Sequence, residues 1–158
     1  MTAFLRFAQL LSLGAWVGAT LFVGFLLAPA AFSTLPTREL AGSLVGMALA
    51  RLHLLGYVCG ALYFASALAA GGAAALRKPA AILVVVMLLL TAVAQHGLTP
   101  RLADLRAQMA ATHGSTDSTP TDHPLRLQFG RLHAMANLLE LVILLVGLGA
   151  LFLSVKNY

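Results

Sequence analysis

Four long apolar segments, separated by short polar stretches, set the hydrophobic pattern of this chain. A helix needs about 20 apolar residues to cross roughly 30 Å of hydrocarbon, at about 1.5 Å of rise per residue. Each segment meets that length, and the predicted helices lie near residues 4–32, 40–70, 79–98 and 125–155. The pattern predicts an all-α, integral membrane four-helix bundle, with helices running up and down antiparallel in one transmembrane domain, residues 1–158.

The polar stretches between the segments differ in length. The first two are short and rich in glycine and proline, which favours antiparallel neighbours for consecutive helices. The third covers residues 99–124. Its first part, from Arg101 to Met109, is amphipathic and predicts either a continuation of the third helix or a short helix at the membrane surface. Its second part, from His113 to Pro124, is too polar to pack and is predicted to be mobile.

Composition supports a membrane environment. Hydrophobic residues make up 60% of the chain and charged residues 9%, against about 25% charged residues in soluble domains. The net charge of +5 is spread over helix ends and loops, so the predicted partner is the lipid bilayer and not nucleic acid. The first segment is too long for a secretory signal peptide. A multi-pass protein of the plasma or inner cell membrane is expected.

The polar residues within the apolar segments gather towards one end of the predicted bundle. Alternating helices bring the end of helix 1, the start of helix 2, the end of helix 3 and the start of helix 4 to the side of loops 1 and 3. The polar and ionisable residues in those stretches are Arg51, His53, Gln95, His96, Arg131, His133, Asn137 and Glu140. Any functional site is therefore expected at this end.

Helix 4 carries the most informative polar face. His133, Asn137 and Glu140 are spaced i, i+4 and i+7, which places them on one side of a helix. Glu140 then lies about 10 Å deeper than His133. A carboxylate inside the bilayer costs about 2.5–3.5 kcal/mol on an insertion scale. Glu140 is therefore predicted to face the bundle interior, either paired with a cation or protonated.

Helices 2 and 3 supply polar groups opposite that face. His53 shares a face of helix 2 with Gly56 and Gly60, so its imidazole is predicted to point inward. Gln95 and His96 lie about 100° apart around helix 3, so only one of them can be centred on the interior. A weak polar stripe favours Gln95.

Small residues four positions apart predict close helix approach elsewhere as well. Trp16, near the middle of helix 1, is predicted to face the bundle because it is far from the interfacial belts. The glycine pairs are Gly14 and Gly18, Gly42 and Gly46, and Gly56 and Gly60.

Several interpretations of the polar end remain open. In a purely structural core, Glu140 pairs with Arg51 or Arg131. A metal site has suitable ligand types for zinc, copper or iron. A haem held between two histidines of helices 2 and 4 is a related alternative. In a proton or ion pathway, Glu140 titrates and His133 relays to the loop surface. The candidate metal ligands are His53, His96, His133 and Glu140, and the candidate haem ligands are His53 and His133.

Enzyme chemistry has little support in the sequence. No nucleophile–base pair, phosphate-binding glycine loop or paired carboxylate motif is found, so an enzyme would depend on a cofactor. The chain is also small enough to be an accessory subunit of a larger membrane complex, or to form a homo-oligomer.

Three segments together resemble a small membrane-protein family related to eukaryotic transmembrane protein 205. They are WVGATLFVGFLLAPAAFSTLP, LTPRLADLR and FGRLHAMANLLEL, and the resemblance extends over nearly the whole chain. It implies four helices and a motif in which Ala136 replaces a serine common in the family. The residues that match family positions are Trp16, Gly18, Pro29, Pro100, Arg131, His133 and Asn137.

The resemblance adds one functional expectation. The eukaryotic relative is associated with resistance to platinum drugs, which implies handling of soft metals, whereas the bacterial members are known mostly as a domain of unknown function. Metal handling or transport through the polar end is therefore the leading functional hypothesis. An accessory subunit with a structural polar cluster is its alternative.

Overall fold

The structure, a computed structural model, describes residues 2–156 and is helical along most of that length. Two π-helical turns, Phe22–Leu27 and Val93–Leu98, and one 3-10 turn, Gly72–Arg77, connect regular helices. The described residues form no strand. The α-helices are α1 (Thr2–Leu21), α2 (Ala28–Thr34), α3 (Arg38–Gly71), α4 (Pro79–Ala92), α5 (Thr99–His113) and α6 (Pro124–Lys156).

Four helical stretches are long and apolar enough to cross a membrane. They are span 1 (Ala3–Thr34), span 2 (Arg38–Arg77), span 3 (Pro79–His113) and span 4 (Pro124–Lys156). The prediction of four long apolar helices is thereby confirmed. The chain has the character of a multi-pass membrane protein.

Large apolar side chains cover the outside of every span. Phe7, Leu54, Leu89 and Leu145, one from each span in turn, are all more than half exposed. Monomeric soluble proteins rarely expose contiguous apolar surface on this scale. These faces therefore contact the lipid bilayer.

The helices meet around an apolar core. α1 packs against α3 and α6, and α4 packs against α6 and α3. The largest fully buried side chains include Leu13, Trp16, Val84, Met87 and Ile143. The prediction that Trp16 faces the bundle is confirmed, since only 1% of the residue is exposed.

Two glycines of α3 allow this close packing. A Cβ at Gly56 would lie 2.7 Å from the Trp16 ring, and one at Gly60 would lie 2.8 Å from the Leu88 side chain. Both distances are too short for a side chain to be added without displacing the neighbour. The predicted packing role of this glycine pair is confirmed.

The same prediction is wrong for the glycine pair of α1. Nothing lies within 4 Å of a Cβ built at Gly14 or Gly18. The contact face of α1 is instead formed by Leu13, Trp16 and Val17, all buried and spaced i, i+3 and i+4. The two glycines therefore fall on the outward side of the helix.

Each π turn precedes a proline, Pro29 in span 1 and Pro100 in span 3. The residue before each proline donates its backbone N–H five residues back, from Ala28 to Val23 and from Thr99 to Ala94. A proline has no N–H and its ring clashes with the carbonyl four residues earlier. The wider turn accommodates that ring within a continuous helical span.

The third connection is hydrogen-bonded to the helices beside it. Span 3 continues through its π turn into α5, so the amphipathic segment extends the third helix. Beyond it, the Ser118 hydroxyl donates to the carbonyl of His113, and the Arg126 guanidinium donates to the carbonyl of Thr116. The Asp117 carboxylate accepts the backbone N–H of Glu39 at 3.2 Å. These hydrogen bonds place residues 114–123 beside the start of α3, and the mobility of this tract stays a prediction.

Candidate functional site

His53 lies at the centre of a buried polar cluster formed by spans 2, 3 and 4. Only 4% of the residue is exposed. Its Nε2 atom lies 2.7 Å from Oε1 of Glu140, and its Nδ1 atom lies 2.7 Å from Oε1 of Gln95. We call His53, Glu140 and Gln95 the buried triad.

The hydrogen bonds of the triad fix how many protons it holds. The amide oxygen of Gln95 only accepts, so Nδ1 of His53 carries a hydrogen. One further proton then lies between Nε2 and Glu140, giving either an imidazolium with a carboxylate or a neutral imidazole with a carboxylic acid. In both forms the His53–Glu140 pair shares one proton and has no net charge. A neutral pair is what an apolar environment tolerates best.

The helix geometry explains why Gln95, and not its neighbour, joins the triad. Gln95 lies within the π turn of span 3 and is half-buried. His96 is exposed, and its ring stacks on Tyr57 with centroids 6.4 Å apart. The sequence prediction that only one of the two faces inward therefore agrees with the structure.

The partner of Glu140 is a histidine, not an arginine. Within residues 2–156, the Glu140 carboxyl lies 2.7 Å from Nε2 of His53. Arg51 and Arg131, the cations expected in a structural core, are both exposed.

His133 and Asn137 extend the polar face of α6 towards the loops. His133 is half-buried, and its ring lies parallel to Phe129 with centroids 5.8 Å apart. Asn137 is exposed. Both residues line the same pocket as Glu140, so the predicted i, i+4, i+7 face is present.

We call that pocket the inner pocket. It has a volume of about 430 Å³ and lies between span 1, α3 and α6. Its polar lining residues are Thr20, His133, Asn137 and Glu140. The rest of the lining is glycine, alanine, proline and large apolar side chains, Phe25 and Phe32 among them. A carboxylate thus faces an otherwise apolar cavity.

The inner pocket exists because span 1 loses its contact with α6 along its length. α1 packs against both α3 and α6, whereas the π turn and α2 pack mainly against α3. A gap therefore opens between α2 and α6 beside Pro29, which lines the pocket. Asn137 and Leu141 line the same gap and are exposed, so the opening faces sideways, where the lipid would be.

A second cavity, the outer pocket, lies at the loop 1 and loop 3 end and measures about 270 Å³. Phe32 and His133 line both pockets, so the two adjoin. Its ionisable lining residues other than His133 are Arg38, Glu39, Arg106, Asp117 and Arg126. His133 therefore lies between the charged lining of the outer pocket and the inner pocket that contains Glu140.

Sequence analysis missed the position of Arg106. Its guanidinium carbon lies 5.2 Å from the centroid of the Phe129 ring, a cation–π distance. Its Nη2 atom would lie 3.3 Å from a Cβ at Gly42, and its Nη1 atom 3.7 Å from one at Gly46. The sequence predicted that a neighbouring helix would approach closely at Gly42 and Gly46. The side chain of Arg106, on α5, occupies that space instead of a helix backbone. The sequence did contain a signal for this contact: a charged residue on an amphipathic segment and a pair of glycines four positions apart on another helix.

The four predicted metal ligands do not form one group. No set of three or more His, Cys, Asp or Glu side chains able to hold a metal ion occurs within residues 2–156. Both ring nitrogens of His53 are already hydrogen-bonded, which leaves neither free for a metal or a haem iron. His96 stacks on Tyr57 outside the triad. Metal or haem binding by these residues stays a prediction from their residue types.

Comparison with known families identifies the chain. The model of the family described as Domain of unknown function (DUF4149) matches residues 11–111, more than half of the sequence. The chain belongs to the DUF4149 family. No curated protein and no solved structure matches it.

The DUF4149 match covers only part of the site. Residues 11–111 include His53 and Gln95 and end before α6, which carries His133, Asn137 and Glu140. The match shows no link to transmembrane protein 205, so that resemblance stays a prediction.

Proposed function

We propose that this DUF4149 protein is a proton-coupled membrane protein in which the buried triad binds and releases a proton. The observation that carries the proposal is the His53–Glu140 pair itself, 2.7 Å apart and enclosed by candidate membrane spans. Ionisable residues are costly in the bilayer and typically mark ion or proton pathways there. A pair that shares one proton can lose it without breaking any other contact of the triad.

The partner of Glu140 supports a titrating role over a structural one. An arginine would hold the carboxylate in a permanent ion pair, because its guanidinium does not deprotonate in proteins. Histidine changes its charge near physiological pH. Glu140 also lines the inner pocket instead of being sealed in the core. The proton of the pair can therefore leave through this pocket.

The adjoining pockets supply a route for that proton. His133 lines both the inner and the outer pocket, and the outer pocket lies beside the folded loop of residues 114–123. We infer exchange between the triad and the aqueous phase through His133, as a relay on the same face of α6.

The proposal places spans 1 to 4 in an up-down antiparallel bundle. The support is the short connections, residues 35–37 between α2 and α3 and the single residue Lys78 between the 3-10 turn and α4. This arrangement puts loops 1 and 3 on one side of the membrane, together with the outer pocket. Residence in the plasma or inner cell membrane is part of the same proposal.

Metal handling, the leading hypothesis from the sequence, is the weaker candidate. It now depends on residue types alone, since the ligands are not gathered into one group. An accessory-subunit role likewise has no specific contact in its favour.

We expect proton binding at the triad to be visible by spectroscopy. Infrared difference spectra of the protein in lipid nanodiscs, recorded between about pH 5 and pH 8, should show carboxyl and imidazole bands that titrate together, because coupled groups titrate as a pair. Glu140→Gln should abolish the carboxyl part of the signal. ¹⁵N spectra of labelled histidine should show the matching change at His53.

The control for this experiment is Asp104→Asn, which removes one carboxylate from an exposed position on α5. It should leave the coupled signal unchanged. Spectra of the wild type in which no carboxyl band changes over that pH range, or in which Glu140→Gln leaves the titrating band intact, would contradict the proposal.

A further inference from the structure

We infer that the inner pocket binds a lipophilic primary amine in its ammonium form, and that the ammonium replaces the proton of the His53–Glu140 pair. This inference rests on the proposed proton function and adds the chemical class of the ligand. It follows from the shape, the charge and the opening of the inner pocket.

The size and lining of the pocket fit a small amphiphile. Its volume of about 430 Å³ falls in the range of about 300–1,000 Å³ typical of small-molecule sites. The wall is mostly apolar, with Phe25 and Phe32 on the span 1 side. Such a wall accommodates a hydrocarbon chain or ring, and its aromatic faces favour a nearby cation.

The polar groups that line the inner pocket determine which head group the ligand carries. Glu140 uses Oε1 for His53, and no hydrogen bond to its second oxygen is formed within residues 2–156. Within the described residues, the lining of the inner pocket contains no lysine or arginine. A carboxylate oxygen with a free acceptor site, in a wall without fixed positive charge, selects a donor that carries positive charge. An alkylammonium group meets both requirements.

The other ionisable groups near the pair lie towards the loop end. α6 contributes His133, and α5 contributes Arg106, which lines a smaller cavity shared with His53 and Glu140. Span 1 contributes no ionisable residue to either cavity. The Arg106 guanidinium lies over the Phe129 ring. The ammonium head would therefore approach from the span 1 side, where no cation opposes it.

The opening of the pocket favours a ligand that arrives from the bilayer. The gap between α2 and α6 faces sideways, and Leu141 at its edge is exposed. A lipophilic amine concentrates in the membrane with its charged head near the boundary, so the head would pass Asn137 before it reaches Glu140, which lies deeper along α6. Lateral entry needs no opening of the loops.

The exchange balances in charge and in protons. The resting pair holds one shared proton and is neutral. When R–NH₃⁺ enters and donates hydrogen bonds to the Glu140 carboxylate, His53 keeps its Nδ1 hydrogen, and the shared proton leaves towards water. The site is again neutral, and no covalent bond to carbon forms or breaks. One proton is released for each ammonium bound.

The test uses three probes that have the same kind of alkyl chain and differ in their head group: octylammonium, octanol and octanoate. Each is titrated into the full-length protein in phosphatidylcholine nanodiscs, and binding to empty nanodiscs is subtracted. Octylammonium should bind in a saturable manner, and Glu140→Gln should weaken it about tenfold or more, as expected for a lost charge-assisted hydrogen bond. Asp104→Asn should bind as the wild type does.

Calorimetry in buffers of different ionisation enthalpy counts the protons. About one proton should be released per ammonium, and the affinity should fall as the pH is lowered through the titration of the pair, because protons and ligand then compete. Glu140→Gln should release none.

Several results would overturn the inference. They are an unchanged affinity in Glu140→Gln, octanol binding as tightly as octylammonium, and octanoate binding best, which would assign the cavity to anionic amphiphiles. Ammonium binding without proton release would overturn the exchange. If the pair titrates in the spectroscopic experiment but octylammonium does not bind, the ligand class is wrong and the proposed proton function stands.

Discussion

Replacing His53 with alanine is expected to lower the free energy of unfolding by about 3–5 kcal/mol, the usual cost of removing one partner of a buried ion pair. The substitution leaves the Glu140 carboxylate without its ion-pair partner and the Gln95 amide oxygen without a donor. It also leaves a cavity at a residue that is only 4% exposed. Unfolding can be followed in detergent micelles by the fluorescence of Trp16, the single tryptophan of the chain.

A double replacement separates the ion pair from the packing. His53→Leu combined with Glu140→Leu removes both polar groups together and should restore most of the stability lost in either single variant, because buried pairs are often replaceable by apolar residues. A single variant that costs less than about 1 kcal/mol, the range of a solvent-exposed ion pair, would show that water screens the His53–Glu140 contact. The buried triad would then have to be abandoned as a site.

Replacing Gly56 with alanine is expected to destabilise the protein by about 1–3 kcal/mol, the range for overpacking a well-filled core. The new Cβ would lie 2.7 Å from the Trp16 ring, which is 1% exposed and has no space into which to turn. The Trp16 emission of the folded variant should shift as the indole is displaced. Thermal unfolding in detergent, read from the same fluorophore, measures the loss.

Other glycines provide a graded comparison. A Cβ at Gly147 meets Val17 at 2.8 Å, and one at Gly60 meets the flexible end of Leu88 at 2.8 Å, so the loss should decrease from Gly56 to Gly147 to Gly60. Gly14→Ala is the control, because nothing lies within 4 Å of its Cβ, and better helix propensity should make it neutral or slightly stabilising. Equal losses at Gly56 and Gly14 would rule out the Trp16 contact as the cause.

Much of the fold follows from the sequence because the bilayer imposes simple rules. The length of the apolar runs predicts the spans, and the spacing of His133, Asn137 and Glu140 predicts a shared face that the structure contains. The cost of a buried carboxylate predicts that Glu140 points inward and is either paired with a cation or protonated. These inferences depend on local periodicity and on solvation, and both can be assessed from one amino-acid sequence.

The features that could not be predicted from the sequence depend on how one helix is rotated relative to another. Periodicity cannot choose among Arg51, Arg131 and His53 as the partner of Glu140, because the choice depends on relative depth and rotation of two helices. It predicts the glycines of α1 to pack, although Trp16 and Val17 take that face instead. The position of Arg106 over Gly42 was likewise set by tertiary packing.

The π turn at Phe22–Leu27 has a consequence for comparing related chains. A π turn holds one residue more than the α turn it replaces, and one residue corresponds to about 100° of rotation. Relatives without that extra residue should align with a one-residue gap inside this segment. Counted without that gap, positions beyond the segment would be offset by one residue, or about 100° of rotation, so a residue that matches Pro29 by simple counting would occupy a different wall of the protein.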